Sequence, residues 1–189
     1  MAQASSTISG QKTFKSAITI SGTCTFTSAT KKITASGTSL SDLSVRDLIT
    51  VSGSASNNST FTISEVDANG TFVIVEEDIT SETVSADTVL TYVGFVTAKV
   101  KGDGYYSQTD GLHTVAYHVN ATCTGSLKMQ GSLATTPTED DFFDIDGTTF
   151  TTDQSTTINS VNFTGNFVWV RAKLTANTAG SVTKILFNN

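Results

Sequence analysis

At 189 residues the chain has room for one large domain or two small ones. Its single Pro and 14 Gly exclude a collagen-like or Pro-rich stalk, and its charged share of 15% lies below the usual ~25%, with Ser and Thr taking the place. A formal net charge of -6 without a basic stripe argues against a nucleic-acid partner, and no apolar run is long enough for a membrane-spanning helix.

Thr, Val, Ile and Phe are abundant, and no segment sustains the i, i+3, i+4, i+7 spacing of an amphipathic helix, so the sequence predicts an all-β protein. The polar start, Met1–Gly10, lacks the apolar run of a signal peptide; the expectation is a chain that stays in the cell that made it or leaves by lysis. Residues 1–30 read as an N-terminal arm or hairpin, with short alternating runs at Thr13–Ile20 and Thr23–Thr27. Residues 31–93 read as a small β-barrel or sandwich module. Lys31–Ala35, Leu48–Gly53, Thr60–Val66, Thr71–Val75 and Thr83–Tyr92 are its predicted strands. Within it, Leu40–Asp47 is expected to be a turn burying Leu43 and Val45. Phe61, Ile63 and Glu65 are placed on one side of their strand, and Asn69-Gly70 signals a two-residue hairpin.

A domain boundary is placed near Gly94. Beyond it, residues 94–189 carry about eight predicted strands, the number that suits a β-sandwich of jelly-roll type. The stretch Asn162–Leu174, NFTGNFVWVRAKL, organises this half. Strand periodicity puts Val168, Val170, Ala172 and Leu174 on a core face, and Phe167, Trp169, Arg171 and Lys173 on the other. Apolar residues on both faces of its middle predict a central strand with neighbours on both sides. Trp169, the only Trp, is expected to be a core or subcore anchor, with ligand stacking as the sharper alternative.

Two resemblances follow from these residues. Residues 33–90 are similar to a small β module recurrent in tailed-bacteriophage virion proteins. The match rests on Ala35, Gly37, Asp47, Ile49, Val51, Gly53, Asn57, Asn58, Thr60, Phe61, Ile63 and Glu82. Arg46 stands where that pattern has Gly, which puts the turn geometry there in question. Farther on, Tyr105-Tyr106, TDGLHTVAYHV, LKMQGSLATTPTEDDFFDID, NFTGNFVWVRAKL and TAGSVTKILFNN resemble the C-terminal jelly-roll module of virion structural proteins from marine cyanophages and related tailed phages. The resemblance implies a component of the particle exterior: a capsid decoration, a fibre or a tail accessory.

The residues offer little chemistry of their own. Glu139–Asp146 is rich in the hard oxygen ligands Ca²⁺ prefers but lacks the spacing of a calcium loop; a solvated acidic turn is expected. His113 and His118 are an odd number of positions apart on one predicted strand and so face opposite sides. Cys24 and Cys123 lack CxxC spacing and a His-rich partner set. Buried free thiols are expected and zinc is not, while a disulfide between the two stays open. No nucleophile motif, zinc-protease motif or phosphate loop is present, so neither an enzyme nor a cofactor is expected. The Gly-flanked loop holding Tyr105, Tyr106 and Asp110, together with Trp169, is the candidate interface or glycan contact. The leading expectation is a structural virion protein on the particle exterior. It would contact the major capsid protein or tail subunits and itself, as a homo-oligomer with a trimer among the options. The alternative is a glycan-binding adhesion module of a fibre that recognises a host surface.

Overall fold

A computed structural model describes residues 6–9, 11–85, 87–106 and 111–188, the first of these stretches by its backbone alone. The protein is all-β. The helical pieces among the described residues are short 3-10 turns. The chain forms two compact units: Lys15–Phe95, and a second made of the residues up to Phe14 together with Val96–Asn189. The first is thus inserted into the second, and its end lies one residue beyond the expected boundary at Gly94.

The structure corrects the separate arm over residues 1–30. Strands β1 (Ser6–Ser9) and β2 (Lys12–Thr13) pair with the last strand of the chain, β18 (Ser181–Asn188). Lys15–Thr30 belongs to the inserted unit, because Ile20, Cys24 and Phe26 share one face and bury it in that unit's core.

The inserted unit is a closed barrel. Its strands are β3 (Ile18–Ile20), β4 (Cys24–Thr27), β5 (Lys32–Ala35), β6 (Asp47–Ser52), β7 (Thr60–Val66), β8 (Phe72–Val75), β9 (Glu82–Val84) and β10 (Thr88–Val96). The antiparallel order β10-β6-β7-β8-β5-β4 is closed by β4 against β9 and by β3 against β10. Ile20 pairs with Thr88 and Cys24 with Val84, so four residues forward on one chain is four back on the other. The two ladders therefore share one register, and β3/β4 and β9/β10 each act as a single broken strand. Closure leaves only the short β3 and β9 segments with a single strand partner among the described residues. Phe26, Ile33, Ile49, Val51, Phe61, Ile63, Val73, Val75 and Leu90 fill the interior.

Three local expectations change. A bulge between Ile63 and Glu65 reverses the alternation, leaving Glu65 exposed and Val66 packed against the core. In the Leu40–Asp47 turn Leu40 and Leu43 are buried but Val45 is 41% exposed. The next residue, Arg46, has φ +69, the left-handed conformation that Gly adopts without penalty. The Asn69-Gly70 hairpin is present but longer than two residues. Asp67 N–H donates to Phe72 O, Gly70 N–H donates to Asp67 O, and the Asp67 carboxylate accepts from Thr71.

The second unit is a β-sandwich. Its further strands are β11 (Val100–Lys101), β12 (Leu112–Val119), β13 (Ser126–Ser132), β14 (Phe143–Asp144), β15 (Phe150–Thr151), β16 (Ile158–Thr164) and β17 (Trp169–Thr175). One sheet runs β1/β2-β18-β12-β16, and the other β14/β15-β13-β17-β11, all antiparallel. Val115, Tyr117, Phe163, Ile185 and Phe187 of the first, and Leu127, Met129, Phe150, Val170, Ala172 and Leu174 of the second, are the buried residues of the core. Tyr117 stacks on Phe150 and donates its hydroxyl to Thr148 O at 3.0 Å.

Asn162–Leu174 spans the end of one strand and most of the next, close to the two strands the sequence predicts at Thr156–Phe163 and Gly165–Leu174. The chain leaves the first sheet after Thr164 and enters the second at Trp169. At the turn Gly165 has φ +153, and a Cβ there would lie 2.4 Å from the Phe167 ring. Phe167 therefore lies buried against Phe163 and His113 instead of sharing the outer face with Trp169. From Trp169 on, the alternation is as expected, and β17 is flanked on both sides, by β13 and β11.

Candidate functional site

The structure brings together three of the four expected contact residues. Val96–Gly102 runs beside β17: Thr97 N–H donates to Ala172 O at 2.9 Å, and Lys101 lies opposite Trp169. The chain then makes a 3-10 turn, Asp103–Tyr106. Gly102 and Gly104 let this turn sit tightly on the Asn166-Phe167 backbone; a Cβ on either would lie 2.4 Å from Phe167 O or 2.5 Å from Asn166 O. The close approach sets the adjacent tyrosines beside Trp169. Tyr105 meets the indole edge-on at 5.5 Å between ring centres and meets Tyr106 in the same manner at 5.2 Å. Tyr105 is 44% and Tyr106 48% exposed. Asp110 lies outside the described residues.

The patch is cationic as well as aromatic. Lys101 Nζ lies 3.8 Å from the centre of the Tyr105 ring, and Lys99 Nζ 5.4 Å from that of Trp169. A hydrogen bond with Tyr105 raises the Lys101 pKa above the ordinary lysine value against the opposing effect of desolvation. Trp169 is half-buried on the outer face, where its Nε1–H donates to Thr135 O at 3.0 Å. Of the two expected placements, core or subcore, the half-buried indole takes the shallower one. Alternation moves Val170 and Ala172 inward and leaves the indole outside.

Beside this patch lies Arg171, which strand periodicity puts on the face opposite the core face. Arg171 is 4% exposed. Its Nε–H donates to Gln130 Oε1 at 2.9 Å, and its two terminal nitrogens donate to Glu139 at 2.6 and 2.8 Å. The Phe142 ring covers the guanidinium at 3.7 Å. The Leu133–Phe142 loop is thereby fastened over the outer sheet face. A planar fork facing a carboxylate is the strong form of such a bond. The K-V-K spacing at Lys99–Lys101 is the local hint of the patch's cations, which were not among the expected contact residues. Nothing local signalled the Arg171 clamp, because Glu139 lies far away in sequence.

The remaining candidates turn inward or pair locally. His113 is fully buried among Phe163, Phe167 and Phe187, and its Nε2–H donates to Gly165 O at 2.9 Å. His118 sits on the opposite face, half-buried, its pKa lowered by partial burial and by nearby Lys184. In the acidic stretch, Glu139 holds Arg171, Asp141 accepts from Thr138 N–H and hydroxyl, and Asp144 accepts from Lys128 and Gln130. These carboxylates face different partners, and among the described residues no three His, Cys, Asp or Glu gather as a metal site. Cys24 and Cys123 are free and buried; burial pushes the Cys24 thiol up to about 11.

No protein-family model matches this chain, and no curated protein is significantly similar to it.

Proposed function

We propose that this chain is a non-enzymatic structural component of a tailed-phage particle, placed on its exterior as a decoration, fibre or tail accessory. In this reading the sandwich docks by the Tyr105–Tyr106–Trp169 patch on a coat or tail subunit. The sequence resemblances supply the setting. Counted along the chain, the sandwich strands have the orders first-eighth-third-sixth and fifth-fourth-seventh-second. We read this as a jelly roll, two Greek keys wound together, with the barrel inserted after the first strand.

The observation that carries the docking role is the patch itself. Exposed aromatic rings give a large contact area at low entropy cost, and tyrosine, tryptophan and arginine dominate interface energetics. The same geometry weighs against the glycan-adhesion alternative. A sugar stacks on an open ring face, whereas Lys101 covers the Tyr105 face and Lys99 lies over that of Trp169. The test is co-sedimentation with particles lacking this protein. The Tyr105→Ala/Tyr106→Ala variant should bind about 30-fold more weakly, the effect of losing a hot spot worth ~2 kcal/mol. Wild-type binding by the variant counts against the patch. Loss of binding to host lipopolysaccharide, with particle binding intact, would move the assignment to adhesion.

A further inference from the structure

We infer that the free edge of β16 is a self-association surface, on which a second copy of this chain adds its own β16 across a two-fold axis. β16 ends its sheet: it pairs with β12, and among the described residues nothing pairs with its other side. Its ladder with β12 runs without a bulge from Ile158 to Thr164. The burial of its inward-facing side chains supports an open edge, since Asn159 and Val161 are only half-buried.

Native sheets guard a long edge with charge, proline or a bulge, because its unpaired groups template another strand. β16, reading INSVNFT, has none of these guards. The other edges differ: β1 carries a register shift between Thr7 and Ser9, and β11, β14 and β15 are two residues long.

The hydrogen-bond phase fixes which groups are offered. Val119 N–H donates to Thr157 O and Gly165 N–H to Gly111 O, so the odd-numbered residues of β16 turn their backbone groups to β12. Ile158, Ser160, Asn162 and Thr164 therefore present both N–H and C=O to the open side. An antiparallel second copy centred on Val161 puts Ser160 opposite Asn162 and Ile158 opposite Thr164. Each of these pairs exchanges two backbone hydrogen bonds, and all four of their side chains are exposed and uncharged. Val161 meets Val161 of the second copy in the closely spaced non-hydrogen-bonded position, which covers its half-exposed side chain. No like charges meet along the strand, although the chain carries a net charge of -6. This isologous contact closes at two copies, and it does not depend on the aromatic patch.

Sedimentation equilibrium of the full chain tests the inference. The wild type should show a reversible dimer in the micromolar range. Ser160→Pro removes an N–H directed at the open edge and spares the β12 ladder, so it should be a folded monomer by circular dichroism. The double variant Ser160→Lys/Asn162→Lys sets like charges opposite each other and should also be monomeric. Mixing it with Ser160→Glu/Asn162→Glu should restore a mixed dimer. A wild type that stays monomeric throughout that range overturns the inference, as does a dimer that survives both Ser160→Pro and the paired lysines.

Discussion

Arg171→Met tests the clamp on the outer sheet face. The substitution keeps an apolar stem of similar length and removes the guanidinium. Lost are the bond to Gln130, the paired bonds to Glu139, and the contact with Phe142. Breaking a fully buried ion pair costs ~3–5 kcal/mol. Glu139 is 22% exposed, so water recovers part of its solvation, and the expected loss is about 2–3 kcal/mol. Urea unfolding followed by fluorescence measures it well. Trp169 is the only Trp, stands two positions from Arg171, and bonds to the loop that Glu139 holds. A double-mutant cycle with Glu139→Gln should give a coupling of at least ~1 kcal/mol. A loss below ~0.5 kcal/mol, or additive effects, would refute the clamp.

Trp169→Ala should cost only about 1–2 kcal/mol in the same assay, because the indole is half-buried on the outer face; the ~3–5 kcal/mol of a core aromatic would contradict that placement. Glu82 accepts hydrogen bonds from Ala55 N–H, the Ser54 hydroxyl, Ser56 N–H and Asn57, which hold its pKa below the ordinary carboxylate range. A depressed carboxylate stabilises the fold above its unfolded-state pKa, and that contribution fades as pH falls through the folded-state value. The barrel's melting temperature should therefore drop on acidification below about pH 4–5, and less steeply in Glu82→Gln. Equal slopes for variant and wild type would remove Glu82 from the account. Both buried thiols should resist a disulfide reagent near neutral pH until the chain unfolds; prompt labelling of native protein would contradict their burial.

The strands were readable wherever burial follows strict alternation. Val170, Ala172 and Leu174 show it, as do His113 and His118 on opposite faces. What could not be read is what alternation does not encode. The bulge at Ile63–Glu65 and the turn at Gly165 each shift the phase, and so misplace Glu65 and Phe167. The N-terminal stretch looked like an arm because the partners of Ile20 and Ser6, at Thr88 and Phe187, lie far along the chain. The patch was partly legible as adjacent tyrosines. Its joining to Trp169 depends on the Gly102 and Gly104 contacts with a loop some sixty residues later, which no local pattern carries.

In the proposed function the aromatic patch of the sandwich docks on a virus particle. Electron cryomicroscopy of particles carrying this protein tests it most directly. Density for the barrel and the sandwich is expected on the particle exterior, with Tyr105, Tyr106 and Trp169 covered by a neighbouring coat or tail subunit. Particles without the chain, or a particle-bound chain with these three rings facing solvent, would contradict it.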